Sequence, residues 1–488
     1  MAEKHESATR LLADLQGLVE ELVAAGERTL AAWRVSDLRP EFATSATNLA
    51  HFLALRGKDR RDLQQRLRRH GLSTLGRSEA HMLATLEAVI ATLEGNDPPE
   101  TTLQALEAGR ARLRANTAEL FGPPPDDRTT HVMATLEPSS ASDPQRLEEL
   151  IRLGADTVRI NCAHDTPDDW RAMATAARTA AKQAGRPCRV FMDLAGPKIR
   201  TTHVRQPPHR NRLHADDILR VPFDARAEFD GFVAGCTAPD VLRQVGVGAA
   251  FALDDGTATG RVEVVDETGL TVRVARTKPG GLKLKNDKGM NFPGSPLQLA
   301  ALTEADHEAL TVIRELADMV GYSFVQRASD VDLLLEAFAR GEGVHERPAL
   351  VAKIETELAF RNLPEIVVAA AGRGPFGVMI ARGDLGVEMG FARLSEVQEE
   401  ILWLCEAAHV PVIWATEVLA SVVKHGQPSR GEFTDAAMAA RAEAVMLNKG
   451  RFIAEGIQVI TDVIRRAERH VDKKTPQLAA LRSWQGEG

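Results

Sequence analysis

Cysteine is scarce in this 488-residue chain: Cys162, Cys188, Cys236 and Cys405 lie far apart, and no CxxC pair occurs. That argues against a disulfide-stapled scaffold and a structural zinc site, and it suits a reduced, cytoplasmic protein. No uninterrupted apolar run is long enough to cross a bilayer, so no membrane-spanning segment is expected. A basic excess is missing too. Lys and Arg number 60 against 68 Asp and Glu, for a net charge of −8 and a pI near 6.0. Neither nucleic acid nor a membrane surface is therefore an expected partner, because each would want a basic face. The opening residues MAEKHESATRLLADL are charged and lack an apolar core with a small-residue cleavage site, so no secretory signal is expected. A GxxxxGK[ST] phosphate loop is also absent, and any phosphate must be handled by side chains and metal rather than by a glycine cradle.

What remains is the composition of a globular protein, 44% hydrophobic and 26% charged, in a chain long enough for about two to four domains. Residues 1 to 122 are rich in Ala, Leu, Arg and Glu, with apolar positions at helical spacing in LLADLQGLVEELVAA, HMLATLEAVIATLE and TTLQALEAGRARLRANTAELF. Gly122 and three prolines end this zone, which reads as an all-α packing or oligomerisation module, here bounded at 1–125. From residue 130 short β-branched runs alternate with amphipathic helices. The strand candidates lie at 131–136, 157–163, 188–194, 319–325, 349–355, 376–381, 411–416 and 442–448. Eight strands alternating with helices predict an α/β TIM (β/α)8 barrel, formed by 126–201 and 291–475. The interval between the third and fourth strands, about a hundred residues, is too long for a loop. Its FALDDGTATGRVEVVDETGLTVRVARTKPG stretch alternates with period two, so 202–290 is expected to be an inserted antiparallel β lid.

The informative polar groups fall at the C-terminal ends of these strands, where barrel chemistry is carried. The second strand ends in Arg159, Asn161 and His164. The third ends in Asp193 and turns through GPKIR, with Lys198 and Arg200. Lys353 and Glu355 on the fifth strand are two residues apart and share a face; the sixth runs into ARGDLG with Gly383 and Asp384, and the seventh ends in Thr416. Any one of these is more often an ordinary salt bridge. Their joint occurrence is not, and an inward Lys353 needs an anionic partner. Cationic side chains with two carboxylates suit a phosphorylated substrate and a hard divalent cation.

These segments resemble pyruvate kinase over residues 130–470. The resemblance runs in order through ATLEPSS (134–140), VRINCAH (158–164), MDLAGPKIRT (192–201), LDDG (253–256), KGMNFPG (288–294), SFVQRASDV (323–331), AKIET (352–356), ARGDLGVE (381–388), ATEVLAS (415–421) and PSRGEFTD (428–435). It implies phosphoryl transfer from phosphoenolpyruvate to ADP, giving pyruvate and ATP, with Mg²⁺ or Mn²⁺. Lys353 would be the cation beside the transferring group, and Glu355 and Asp384 the metal ligands. Gly383, Asp384, Thr416 and Ser323 would serve the substrate, and Arg159 and Arg200 its phosphate. His164 and Asn161 would lie near the nucleotide, with Asn161, Asp193 and Lys198 in the monovalent-cation region. A homo-oligomer is expected. The alternatives are a C–C lyase of the phosphoenolpyruvate/pyruvate superfamily and a catalytically weak, metabolite-sensing relative.

The sequence also departs from that family. Asn161-Cys162-Ala163-His164 replaces N-F-S-H, removing a hydroxyl that would ligate potassium, and Lys198 stands where potassium-dependent members carry Glu. Potassium-independent activity is expected. Asn448-Lys449-Gly450-Arg451-Phe452 replaces S-G-E-T-A after the eighth strand, and Glu417 replaces Gln; both bear on nucleotide handling. No room is left for the usual C-terminal regulatory domain, so regulation by fructose bisphosphate at its usual site is not expected.

Overall fold

The computed structural model describes residues 2–34, 37–224, 229–340, 347–473 and 475–476. Five helices come first: α1 (Ala2–Ala32), α2 (Pro40–Arg56), α3 (Arg61–Arg69), α4 (Met82–Leu93) and α5 (Glu100–Phe121). In α1, Leu11, Leu15, Leu18 and Leu22 recur every three to four residues and are all buried. They join one apolar cluster with Phe42 and Leu49 of α2 and Met82 and Leu86 of α4. Gly122, at φ 91, takes a backbone conformation open to glycine and stops α5, and the prolines that follow prevent its renewal.

The eight expected strands all form: β1 (His131–Thr135), β2 (Thr157–Asn161), β3 (Arg189–Asp193), β4 (Met319–Tyr322), β5 (Ala349–Ile354), β6 (Phe376–Ala381), β7 (Val412–Ala415) and β8 (Ala444–Leu447). Each pairs in parallel with its neighbours in chain order, and β8 returns to β1, closing the barrel. The strands are almost wholly buried because helices cover their outer face and side chains fill the interior.

Alternation decides which residues fill it. Met133, Phe191, Met319, Val351, Met379, Ile413 and Met446 form the interior cluster, while Val132, Val190 and Val378 belong to the outer one. Leu120 and Phe121, the last residues of α5, belong to the interior cluster as well. The helical layer therefore plugs the N-terminal mouth of the barrel, which its periodicity alone did not indicate. A second tie is His409, buried between the layer and the barrel. Its ring nitrogens lie 2.9 Å from Ser45 Oγ and 2.8 Å from the Ala80 carbonyl, and Asn116 donates to the His409 carbonyl at 2.6 Å.

Strands from Thr201 to Asn291 form the lid, a seven-stranded sheet. It is antiparallel except for Ile218–Pro222 beside Phe232–Cys236, which run parallel. Its two edges meet at the Arg200–Gly289 bridge, where Thr201 N–H donates to the Lys288 carbonyl and Met290 N–H to that of Ile199, so the sheet curls to near closure.

Candidate active site

Period two carries the interior series upward from apolar to charged. Two residues beyond Phe191 stands Asp193; two beyond Val351 stands Lys353; Glu355 follows at the strand's exit. Asp193 is fully enclosed. Its Oδ2 accepts from Arg159 Nε at 3.0 Å and lies 3.3 Å from Lys353 Nζ. The neighbouring β4 leaves room for it with Gly321, where a Cβ would stand 2.4 Å from Asp193 Oδ1. Lys353 Nζ also lies 3.0 Å from Glu355 Oε1 and donates to Ser323 Oγ at 2.7 Å; that hydroxyl in turn donates to the Leu194 carbonyl at 2.6 Å. Burial pushes the ammonium toward neutrality, but the Asp193 and Glu355 carboxylates outweigh it and hold its pKa above the ordinary lysine value. Burial likewise raises the pKa of Glu355, against Lys353, whose charge lowers it. The Phe324 N–H, offered from a left-handed residue at φ 57, donates to Glu355 Oε2 at 2.5 Å.

Beyond β6 the chain turns directly into a helix, Arg382–Met389, whose first turn holds Gly383 and Asp384. The Gly383 N–H donates to Thr416 Oγ1 at 2.7 Å. Thr416 has φ 62, Glu417 φ 59 and Leu419 φ 46, a strained exit from β7 that a β-branched residue adopts only under constraint. Arg382 supplies the constraint. It donates to the Ala415 carbonyl at 3.0 Å and the Thr416 carbonyl at 2.6 Å, pairs with Asp435, and lies over the Trp414 ring at 4.7 Å. Both Arg382 and Asp435 fall inside stretches singled out in the sequence, yet nothing local marks them as a pair.

Lys198 reaches across from the loop after β3. Its Nζ donates to Asp384 Oδ1 at 2.5 Å and lies 3.6 Å from Asp255 Oδ1 in the lid. Burial works against that charge, and the adjacent carboxylates, Asp384 foremost, hold the pKa up. The ammonium thus stands with the carboxylates expected to take a metal. Arg200 lies 3.3 Å from Asp287 Oδ1 on the lid side. Lid and barrel enclose a cleft of about 200 Å³ lined by Lys198, Asn291, Phe324 and Glu388.

A separate cavity of about 220 Å³ lies over the ends of β1, β2 and β8. Arg159, Asn161 and His164 line it together with Lys424 and Lys449, neither assigned a role by the sequence reading. The only signal for Lys449 was its place in the departing 448–452 loop. Burial lowers the His164 pKa, and the nearby Lys449 and Arg200 charges add to that, so its ring is neutral near pH 7. The Asn161 side chain caps its own loop, accepting from Ala163 N–H at 3.1 Å.

Among the described residues no group of three or more His, Cys, Asp or Glu could hold a metal. Glu355 and Asp384 are nonetheless close enough that the Asp384 charge raises the Glu355 pKa. Two hard carboxylates near each other are the donor type that Mg²⁺ takes, waters and substrate oxygens being its usual further ligands. Here each carboxylate is paired with an ammonium, Glu355 with Lys353 and Asp384 with Lys198. The structure thus gathers Lys353, Asp193, Arg159, Ser323 and Glu355 into one contact set, and Gly383, Asp384, Thr416 and Lys198 into an adjoining one. Asn161 and His164 line the second cavity, which shares Arg159 with the first set, and Arg200 lies on the lid side. No described helix is long and apolar enough to cross a membrane.

Residues 127–456 match the family model for the pyruvate kinase barrel domain. The chain is 31% identical over 360 residues to a pyruvate kinase of Geobacillus stearothermophilus, covering 71% of this chain and 58% of that one. A pyruvate kinase of Agrobacterium vitis is 32% identical over 368 residues, 72% of this chain and 73% of its own. Human pyruvate kinase PKLR is 30% identical over 361 residues, 70% of this chain and 60% of that one. The chain thus spans less than two thirds of the Geobacillus and human proteins.

Proposed function

The chain belongs to the pyruvate kinase family, and on that premise we propose that it transfers the phosphoryl group of phosphoenolpyruvate to ADP, giving pyruvate and ATP, as a cytoplasmic glycolytic enzyme. The observation that carries this reading is the Lys353 ammonium, buried at the barrel mouth between Asp193, Ser323 and Glu355. A moving phosphoryl group and a developing enolate both need preorganised positive charge in a site that excludes water, more than they need a nucleophile. In the reaction the P–O bond to the enol oxygen breaks as a bond to a terminal oxygen of ADP forms. The enolate then takes a proton at its methylene carbon.

Each residue has a part in this. Lys353 balances charge on the phosphoryl group and the enolate, and Ser323 fixes its direction. Arg159 and Arg200 contact phosphate, with Asp193 orienting Arg159. The N–H groups of Gly383 and Asp384 and the Thr416 hydroxyl hold the substrate carboxylate, a task suited to the first turn of a helix. Thr416 Oγ1 accepts from Gly383 N–H, a bond that the substrate carboxylate replaces when it takes that N–H and the hydroxyl proton, and a water near Thr416 protonates the enolate. Asn161 and His164 border the nucleotide phosphates, and Lys424 and Lys449 share their cavity. Glu355 and Asp384 would hold Mg²⁺ or Mn²⁺, whose chemistry when bound is Lewis-acid stabilisation of the enol and phosphoryl oxygens. Lys198 supplies a fixed cation in place of potassium, so K⁺ is not required. The chain is read as three units: the helical layer 1–125, the barrel 126–201 with 291–475, and the lid 202–290.

The test is a lactate dehydrogenase-coupled assay with phosphoenolpyruvate, ADP and Mg²⁺, run beside Lys353→Met and Glu355→Ala. Turnover that falls by about 10² or more in both variants supports the reading. Wild-type protein that binds phosphoenolpyruvate with Mg²⁺ but forms no pyruvate would sink it.

A further inference from the structure

At the end of the barrel away from the active site, a cavity of about 170 Å³ opens along the seam between the helical layer and the barrel. One wall is α5, which turns Leu113 and Ala118 toward it and sets Arg110 and Arg114 at its rim. The opposite wall carries Glu406, Glu443 and Asp472. Glu406 is not without a partner, Asp472 lies exposed at the edge, and the deepest carboxylate, Glu443, is engaged. Glu443 accepts from Val412 N–H at 2.7 Å and lies 3.0 Å from Lys473 Nζ. Arg110 and Arg114 differ. Both are exposed, one turn apart on the same helix face, and neither takes part in an ion pair or side-chain hydrogen bond among the described residues. Like charges so placed repel each other, and an anion held between them would relieve that repulsion. Arg112, between them in sequence, is spent on the Glu41 carbonyl at 2.9 Å.

We propose that this cavity binds a small organic anion with an apolar body. Its head group pairs with Arg110 and Arg114, and its body lies on Leu113, Ala118 and Pro124. None of these residues belongs to the active site. The cavity borders elements that reach into the barrel: α5 ends in the Leu120 and Phe121 that enter it, and Glu443 immediately precedes β8 while holding the start of β7. The far ends of those two strands lead to Thr416 and Asn448. A ligand here touches both the plug and the base of two strands that serve the site.

The experiment uses the full chain and a matched pair of probes, 1-naphthoate and 1-naphthamide, which share a body and differ in charge. Naphthoate should bind saturably at one site, read from its fluorescence, about tenfold more tightly than naphthamide. Arg110→Ala with Arg114→Ala should bring naphthoate down to the level of the amide. Ala118→Phe, which fills the cavity from a partly exposed position, should remove binding of both probes while the urea midpoint is kept. Lys353→Met should bind as the wild type does, so the result stands whether or not the kinase reading survives. The proposal is overturned by an absence of saturable binding, by equal affinity for acid and amide, by binding that survives the double arginine change, or by binding lost in Lys353→Met.

Discussion

Asp193 and Lys353 face each other inside the closed barrel, carboxylate oxygen 3.3 Å from ammonium nitrogen, with the carboxylate wholly shielded from solvent. Neither could be buried alone. A charged group enclosed without a partner costs several kcal/mol, and here one carboxylate serves both Lys353 and Arg159.

Asp193→Asn should therefore leave two cations under-compensated. We expect unfolding free energy in urea to drop by about 3 kcal/mol. Since Asp193 helps hold the Lys353 pKa above its ordinary value, its loss lowers that pKa. The alkaline limb of the pH–rate profile should move to lower pH, and an unmoved limb would separate Lys353 from Asp193 in function.

Lys198 is the resident counter-charge of Asp384. Activity in Na⁺-free buffer should change by less than about twofold on adding K⁺, because the ammonium is already present. Lys198→Met removes a competitor for the Asp384 carboxylate, so Mn²⁺ should bind about fivefold more tightly, measured by the free Mn²⁺ electron paramagnetic resonance signal. Weaker Mn²⁺ binding in the variant would mean that the ammonium aids the metal site.

The plug at the lower mouth should matter for stability rather than for turnover. Leu120→Ala opens a hole in the barrel interior and should lower stability by about 2–5 kcal/mol. His409→Ala leaves Ser45 and the Ala80 carbonyl without their buried partner and should lower it by about 2 kcal/mol. In both, kcat at 25 °C should stay within about twofold of wild type, and an early unfolding step confined to α1–α5 in hydrogen exchange would locate the damage.

Glu388 lines the cleft between lid and barrel, and burial pushes its carboxyl up to about 7, although a hydrogen bond from Asn291 works the other way. The folded state thus favours the protonated form. Its contribution is fully present below the ordinary value of 4.5 and is lost as pH rises through 7. Wild-type stability should decline between pH 5 and 8 by about 2 kcal/mol relative to Glu388→Gln, which cannot ionise. Parallel stability–pH curves for the two proteins would remove Glu388 as the cause.

What the sequence determined is what neighbours along the chain decide. β-branched runs separated by amphipathic helices specify eight strands, and eight parallel strands with covered outer faces close into a barrel. Period two puts Lys353 and Glu355 on one face of their strand and leaves Asp193 at the end of another, and that much was legible along the chain. That Asp193 and Lys353 both turn inward, two residues beyond Phe191 and Val351, was decided by the closed barrel. What only the tertiary structure decided are the contacts between segments that local periodicity cannot relate. Lys198 meets Asp384 from 186 residues away, and Arg382 takes Asp435 from 53. The parallel pair inside the lid depends on a crossover that alternation does not encode. The end of α5 enters the barrel because an open mouth lined by Met133, Phe191 and Met379 is apolar, and Leu120 and Phe121 are the side chains that chain geometry delivers there. A helical pattern reports that such residues share an apolar face. It says nothing about which surface that face will find.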